Sequence, residues 1–204
     1  MVDSIPGIFE KEWEMIEERL RLIAPSSPWA HICFADGTLF PTKSFFELDK
    51  LVPLAQLVQL EAHLLVSSPE KYIKAAADAG FKRLIAHVEA HDPRIFLEAA
   101  KFENVEVGVA IDGATEFEEV EPFLEEVDFV LVMTAESGSD TFLPECVEKI
   151  KSIHLYLPDL PIEAEGGITL KTAPAVLEAG ATRLVSSPAV APLLFPLRAT
   201  SRSA

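Results

Sequence analysis

Among the side chains of types that bind metals or move protons, five stand out: His31 and Cys33, then His63, His87 and Glu165. Each falls within or at the end of a short apolar run, and Gly166-Gly167 follows Glu165 directly. His31, Cys33, His63 and Glu165 offer two imidazoles, a thiolate and a carboxylate, a donor set for a divalent cation. Borderline-soft ions favour N and S ligands, so Zn²⁺ suits this set better than Mg²⁺. Cys33 and Glu165, with reference pKa values of about 8.5 and about 4.3, are also a possible acid-base pair. For His31 and Cys33 alone, a hydrogen-bonded core histidine beside a cysteine packed as a small hydrophobe is the plain alternative.

These residues are far apart in sequence and need a fold to bring them together. In Trp29 to Gly37, strand alternation puts Ala30, Ile32 and Phe34 on one face and His31 with Cys33 on the other, and Asp36-Gly37 ends the strand in a turn. Before it, Ser4 to Ile8 reads as a strand and Glu10 to Ile23 as an amphipathic helix with Trp13, Ile16, Leu20 and Ile23 at helical spacing. After it come a short helix over Ser44 to Leu51, a strand over Leu57 to Val66, and a helix to Ala79 with Ser68 as cap and Pro69 in its first turn. The pattern repeats with strands at Arg83 to His87, Val105 to Ile111, Asp128 to Thr134, Pro161 to Glu165 and Thr182 to Val185. The helices between them are capped by Asp92, Thr115 and Thr169, with one more over Pro144 to Tyr156. Eight strand-helix units with apolar strands argue an α/β protein, a single (β/α)8 TIM barrel. The barrel is expected over residues 1–198, with 199–204 as a flexible tail. Its carboxyl rim would gather His31, Cys33, His63, His87, Glu165 and Gly166-Gly167, which is what makes them candidates for one site.

Composition narrows the partners. With 33 acidic and 17 basic residues the formal charge is −16, which disfavours nucleic acid and anionic lipid surfaces. No apolar run approaches a membrane span, no signal peptide is expected, and two cysteines make no disulfide framework, so a cytoplasmic protein is expected.

Five segments together resemble ribulose-phosphate 3-epimerases. They are His31 with Asp36-Gly37, Ala62-His63 through Pro69-Glu70 to Tyr72-Ile73, His87 with Glu89-Ala90, Val130 to Thr134, and Glu165-Gly166-Gly167-Ile168. The resemblance runs in order along almost the whole chain. It implies a metal-assisted barrel enzyme in which two aspartates, on opposite sides of a pentulose 5-phosphate, exchange the C3 proton through an enediolate. Two histidines and both aspartates hold the metal, and the protein is commonly a homo-oligomer.

Carried over position by position, His31 and His63 match the metal histidines, while Cys33 and Glu165 stand where the family has aspartates. The substrate and phosphate positions correspond to Met133, Gly166, Gly167, Ser186 and Ser187. Several neighbours differ from the family: Gly7 for a serine, Ala35 and Leu65 for methionines, an acidic Glu136 to Asp140 for a glycine-rich lid, and Ser187-Pro188 for a Gly-Ser pair. Lys171 and Arg183 read as solvated. Asp36 is expected to tether its turn, and Glu89 to pair within the rim or face water. Three functions stay open: a sugar-phosphate epimerase or isomerase with altered catalytic groups and weak or absent pentulose epimerase activity, a non-catalytic metal-binding barrel, and a related isomerase or lyase acting on a different sugar or sugar phosphate.

Overall fold

The computed structural model describes residues 2–136 and 139–194. Eight parallel strands close into a barrel in sequence order. They are β1 (Asp3–Ile8), β2 (Trp29–Ala35), β3 (Gln59–Leu65), β4 (Arg83–His87), β5 (Glu106–Ile111), β6 (Phe129–Met133), β7 (Ile162–Glu165) and β8 (Arg183–Ser186). The α-helices around it are α1 (Trp13–Ile23), α2 (Ile73–Asp78), α3 (Pro93–Ala100), α4 (Phe117–Val120), α5 (Cys146–Tyr156), α6 (Ala173–Glu178) and α7 (Ala191–Leu194). The expected tail over 199–204 and two lid residues, Ser137 and Gly138, lie outside the described residues.

Several helices are shorter than their sequence patterns suggest. The segment expected as a helix over Ser44 to Leu51 is a 3-10 turn over Leu48–Leu51, followed by another over Leu54–Gln56. Ser44 leaves the helix because its hydroxyl donates to the Cys33 carbonyl and accepts from the Ala35 N–H, which ties the loop to β2. Ser68 makes no side-chain cap, and Pro69–Tyr72 is a 3-10 turn leading into α2. The N-cap of α4 is Glu116 rather than Thr115, and that of α6 is Thr172 rather than Thr169; the Thr169 hydroxyl instead accepts the N–H groups of Lys171 and Thr172 in a turn. Asp92 does cap α3, through the Arg94 N–H.

Alternation along each strand sorts the side chains into two compartments. Ala30, Ile32 and Phe34 of β2 join the large apolar layer between strands and helices, whereas Cys33 and Ala35 join a smaller interior cluster with Leu65, Ile85, Ala110, Phe129, Leu131 and Met133. The interior is polar on one side and apolar on the other. His31, Glu61, His63, Arg83, His87 and Glu163 are all buried there. Parallel pairing puts Gly7, His31 and Glu61 in register, and Cys33 beside His63.

Phe129 forms much of the floor. The guanidinium groups of Arg83 and Arg183 lie 5.7 and 4.8 Å from its ring centroid, and Arg83 also stacks on Trp29 at 3.6 Å. Arg183 is therefore not solvated: β8 begins with it, so its side chain enters the barrel at the end opposite the rim, and only Lys171 is exposed. Gly108 makes room for the Phe129 ring, since a Cβ there would come within 2.6 Å of it. Gly108→Ala is expected to cost about 1–3 kcal/mol by overpacking. In urea unfolding, its effect should fall well short of additive with Phe129→Ala.

Candidate active site and metal centre

At the carboxyl rim, β2, β3 and β7 bring His31, Cys33, His63 and Glu165 together, and one ligand atom from each lies within 4.8 Å of all the others. Glu165 is the hub. Its Oε1 accepts from the Cys33 thiol at 3.1 Å and lies 3.3 Å from His31 Nε2, while its Oε2 lies 2.8 Å from His63 Nδ1. The last two contacts are close but poorly aligned: His31 Nε2, His63 Nδ1 and Glu165 Oε2 are buried without a hydrogen bond. Short distances between misaligned donor atoms fit ligands that share an ion better than they fit a hydrogen-bond network. These residues can hold a divalent cation.

Each imidazole is braced from behind. His31 Nδ1 lies 2.9 Å from Glu61 Oε1 and 3.4 Å from Glu163 Oε1, and Arg83 fixes the other Glu61 oxygen at 3.0 Å. His63 Nε2 lies 2.8 Å from His87 Nε2, and His87 Nδ1 lies 2.7 Å from Glu89 Oε2. Carboxylates that orient metal-binding imidazoles in this way set tautomer and ring position. Asp36 accepts the Thr38 N–H and hydroxyl and so tethers its turn, and Glu89 pairs within the rim.

The electrostatics follow from burial and these contacts. Burial opposes the charged form of His31, but the Glu165 carboxylate, then Cys33 and Glu163, outweigh it and hold its pKa well above the usual imidazole value. For His63 burial prevails over Glu165 and lowers the pKa to about 4. Burial and the Glu165 charge push the Cys33 thiol up to about 12. Glu165 itself is held well below the carboxylate range, because His31 and His63 overcome the cost of burying it.

A cavity of about 530 Å³ opens above this cluster, lined by Cys33, His63 and Glu165 and by Met133, Gly166, Gly167, Ser186 and Ser187. All the expected site residues therefore line this cavity except His31 and His87, which are wholly buried behind it. Gly166 and Gly167 have φ of +107° and +62°, and a Cβ on either would strike Ala135 or the Phe142 backbone, so neither position admits a side chain. Glu136, Asp140 and Arg19 also line the cavity, with Arg19 bound to Glu10 at 2.6 Å. The Ser186 hydroxyl is buried there without a partner. Sequence reading missed Glu61, Glu163, Arg83 and Arg19; the signal for the first two was parity, since each stands two residues before a site residue on the same strand face.

A closed parallel barrel carrying a buried cluster of two histidines, a cysteine and a glutamate at its carboxyl rim defines a (β/α)8 protein with a candidate metal centre. Comparison with known proteins narrows this class: residues 8–191 match the ribulose-phosphate 3 epimerase family. The chain is 32% identical over 193 residues to ribulose-phosphate 3-epimerase of Schizosaccharomyces pombe, covering 91% of this chain and 85% of the relative. It is 30% identical over 202 residues to that of Bacillus subtilis, covering 93% and 92%. The chain belongs to the ribulose-phosphate 3-epimerase family. In fold it is similar to 3-hexulose-6-phosphate synthase, with a TM-score of 0.69 at 18% identity over 90% of this chain and 89% of the other. Among the described residues no helix is long and apolar enough to cross a membrane.

Glu89 gives a pH test of the bracing. Burial opposes its charged form, but His87, Thr115 and the Asp112 N–H lower its pKa from 4.5 to about 2. A carboxylate depressed in the fold contributes stability that is complete above its unfolded pKa and lost as pH falls through the folded one. The stability lost by Glu89→Gln should therefore be greatest above about pH 4.5 and shrink towards pH 2, as read by urea unfolding of the metal-free protein at each pH.

Proposed function

We propose that this protein is a metal-binding sugar-phosphate barrel in which Cys33 and Glu165 occupy the two proton-transfer positions and pentulose-5-phosphate epimerisation is weak or absent. The observation that carries this reading is the direct contact of Cys33 Sγ with Glu165 Oε1 at 3.1 Å. A carboxylate has two oxygens, one to hold a cation and one to move a proton. A thiol has a single donor atom, so Cys33 serves as ligand or as base but not as both at once. Glu165 is a methylene longer than the aspartate it replaces, and displacing a proton-transferring atom by about 1 Å can cost around a hundredfold in rate.

His31, Cys33, His63 and Glu165 would hold the cation, and their N, S and O donors favour Zn²⁺. When bound, such an ion polarises substrate oxygens as a Lewis acid. Beside it, the chain's own groups bind weakly to phosphate: Glu136 and Asp140 face the cavity, and Pro188 has no N–H to donate. Weakened phosphate binding raises KM, whereas misplaced proton carriers lower kcat. The reading favours a homo-oligomer acting on a small sugar or sugar phosphate. A non-catalytic role is the second reading, favoured by the count of ligands: four protein donors fill a tetrahedral zinc site and leave no open position.

Protein purified without chelator and supplied with Zn²⁺ is expected to bind one equivalent, and Cys33→Ala to bind it at least tenfold more weakly; binding to neither would remove the metal from the proposal. In deuterated water, little or no exchange of the ribulose 5-phosphate C3 proton is expected. The double variant Cys33→Asp with Glu165→Asp should raise the rate. Exchange by the unmodified protein at about 1 s⁻¹ or faster, the range of ordinary enzymes, would identify Cys33 and Glu165 as a working pair and overturn the reading of weak activity.

A further inference from the structure

Glu165, His63, His87 and Glu89 form one row with three contacts. Oε2 of Glu165 is 2.8 Å from His63 Nδ1, His63 Nε2 is 2.8 Å from His87 Nε2, and His87 Nδ1 is 2.7 Å from Glu89 Oε2. Both rings are wholly buried and nearly parallel, with 10° between their planes, and Phe40 packs edge-on against His87 at 5.1 Å. The contact between His63 Nδ1 and Glu165 makes no hydrogen bond, so two protons serve three contacts.

Geometry decides which contact goes without. Two bare nitrogens cannot face each other at 2.8 Å, because their lone pairs repel, so the contact between the rings holds a proton. The contact of His87 Nδ1 with Glu89 at 2.7 Å is an aligned hydrogen bond to a carboxylate, which can only accept and whose other oxygen takes the Asp112 N–H at 2.8 Å, so His87 Nδ1 carries a proton. His87 therefore donates from Nδ1 to Glu89, and His63 donates from Nε2 to His87. The contact left without a proton is the one between His63 Nδ1 and Glu165, which is also the contact that makes no hydrogen bond despite its short distance.

We propose that His87 and Glu89 are positioning residues that fix His63 in the tautomer with a bare Nδ1, so that the gap beside Glu165 is shaped for a cation rather than for a proton. This rests on the metal-binding reading of the site. It gives a role to two residues that touch neither the cavity nor the cation, and it makes the loop after β5, through Asp112, part of the support of the metal centre.

The test separates this inference from the reading beneath it. In the metal-free protein, two-bond ¹H–¹⁵N correlation spectra should show His63 protonated at Nε2 and bare at Nδ1. His87→Gln keeps an acceptor for His63 Nε2–H, and His87→Leu removes it. Competition with a chromophoric chelator is expected to show Zn²⁺ bound 10- to 100-fold more weakly by His87→Leu and close to wild-type affinity in His87→Gln, with circular dichroism confirming the fold. A His63 protonated at Nδ1 would overturn the proposal. So would folded His87→Leu protein that binds Zn²⁺ as tightly as wild type. If His87→Leu does not fold, the His87→Gln affinity and the spectrum still decide. Failure of wild type to bind Zn²⁺ would sink the metal reading, while the spectrum would still judge the tautomer.

Discussion

The carboxylate of Glu165 is the charge around which the interior of the barrel is arranged. It is an ion in a place with little water, and the closed sheet leaves it no route to solvent except the rim. Burying a carboxylate is tolerable only with partners of opposite charge or with donors, and here His31, His63 and Cys33 surround it. Each histidine then needs its own partner on the far side, which draws in Glu61 with Arg83 and His87 with Glu89. One buried charge thus accounts for most of the polar side chains that β2, β3, β4 and β7 send inward.

The barrel itself was legible in the sequence because eight apolar strands and their punctuation recur with little interruption. His31, Cys33, His63 and Glu165 were legible because strand order places their ends on one rim. The supporting residues were less so. Glu61 lies in the middle of an apolar strand and carries no motif, and its meaning appears only when β2 and β3 pair with His31 opposite it. Arg183 looked solvated because a charged residue beside a turn usually is, whereas the strand begins at that residue and turns it inward under Phe129. Helix ends were misread where a hydroxyl had another partner: Ser44 bonds to β2, and Thr169 to its own turn. Capping preference is a local signal, and tertiary hydrogen bonds overrode it at these places.

On the proposed reading, family membership and residue identity point in different directions at positions 33 and 165. The two histidines and the Gly-Gly turn keep the architecture of an epimerase rim, and Gly166-Gly167 could hardly do otherwise, pressed as they are against Ala135 and Phe142. The Cys33 thiol donates to the Glu165 carboxylate, so the two positions are joined by a hydrogen bond.

The floor of the barrel has a consequence for how such a protein evolves. Phe129, packed against Arg83 and Arg183 with Gly108 making room for it, seals one end without help from any rim residue. Folding stability is thereby anchored at one end and chemistry exposed at the other. Mutations can accumulate at the open end without undermining the closed one, so a lineage can lose or exchange its reaction while inheriting the same scaffold intact.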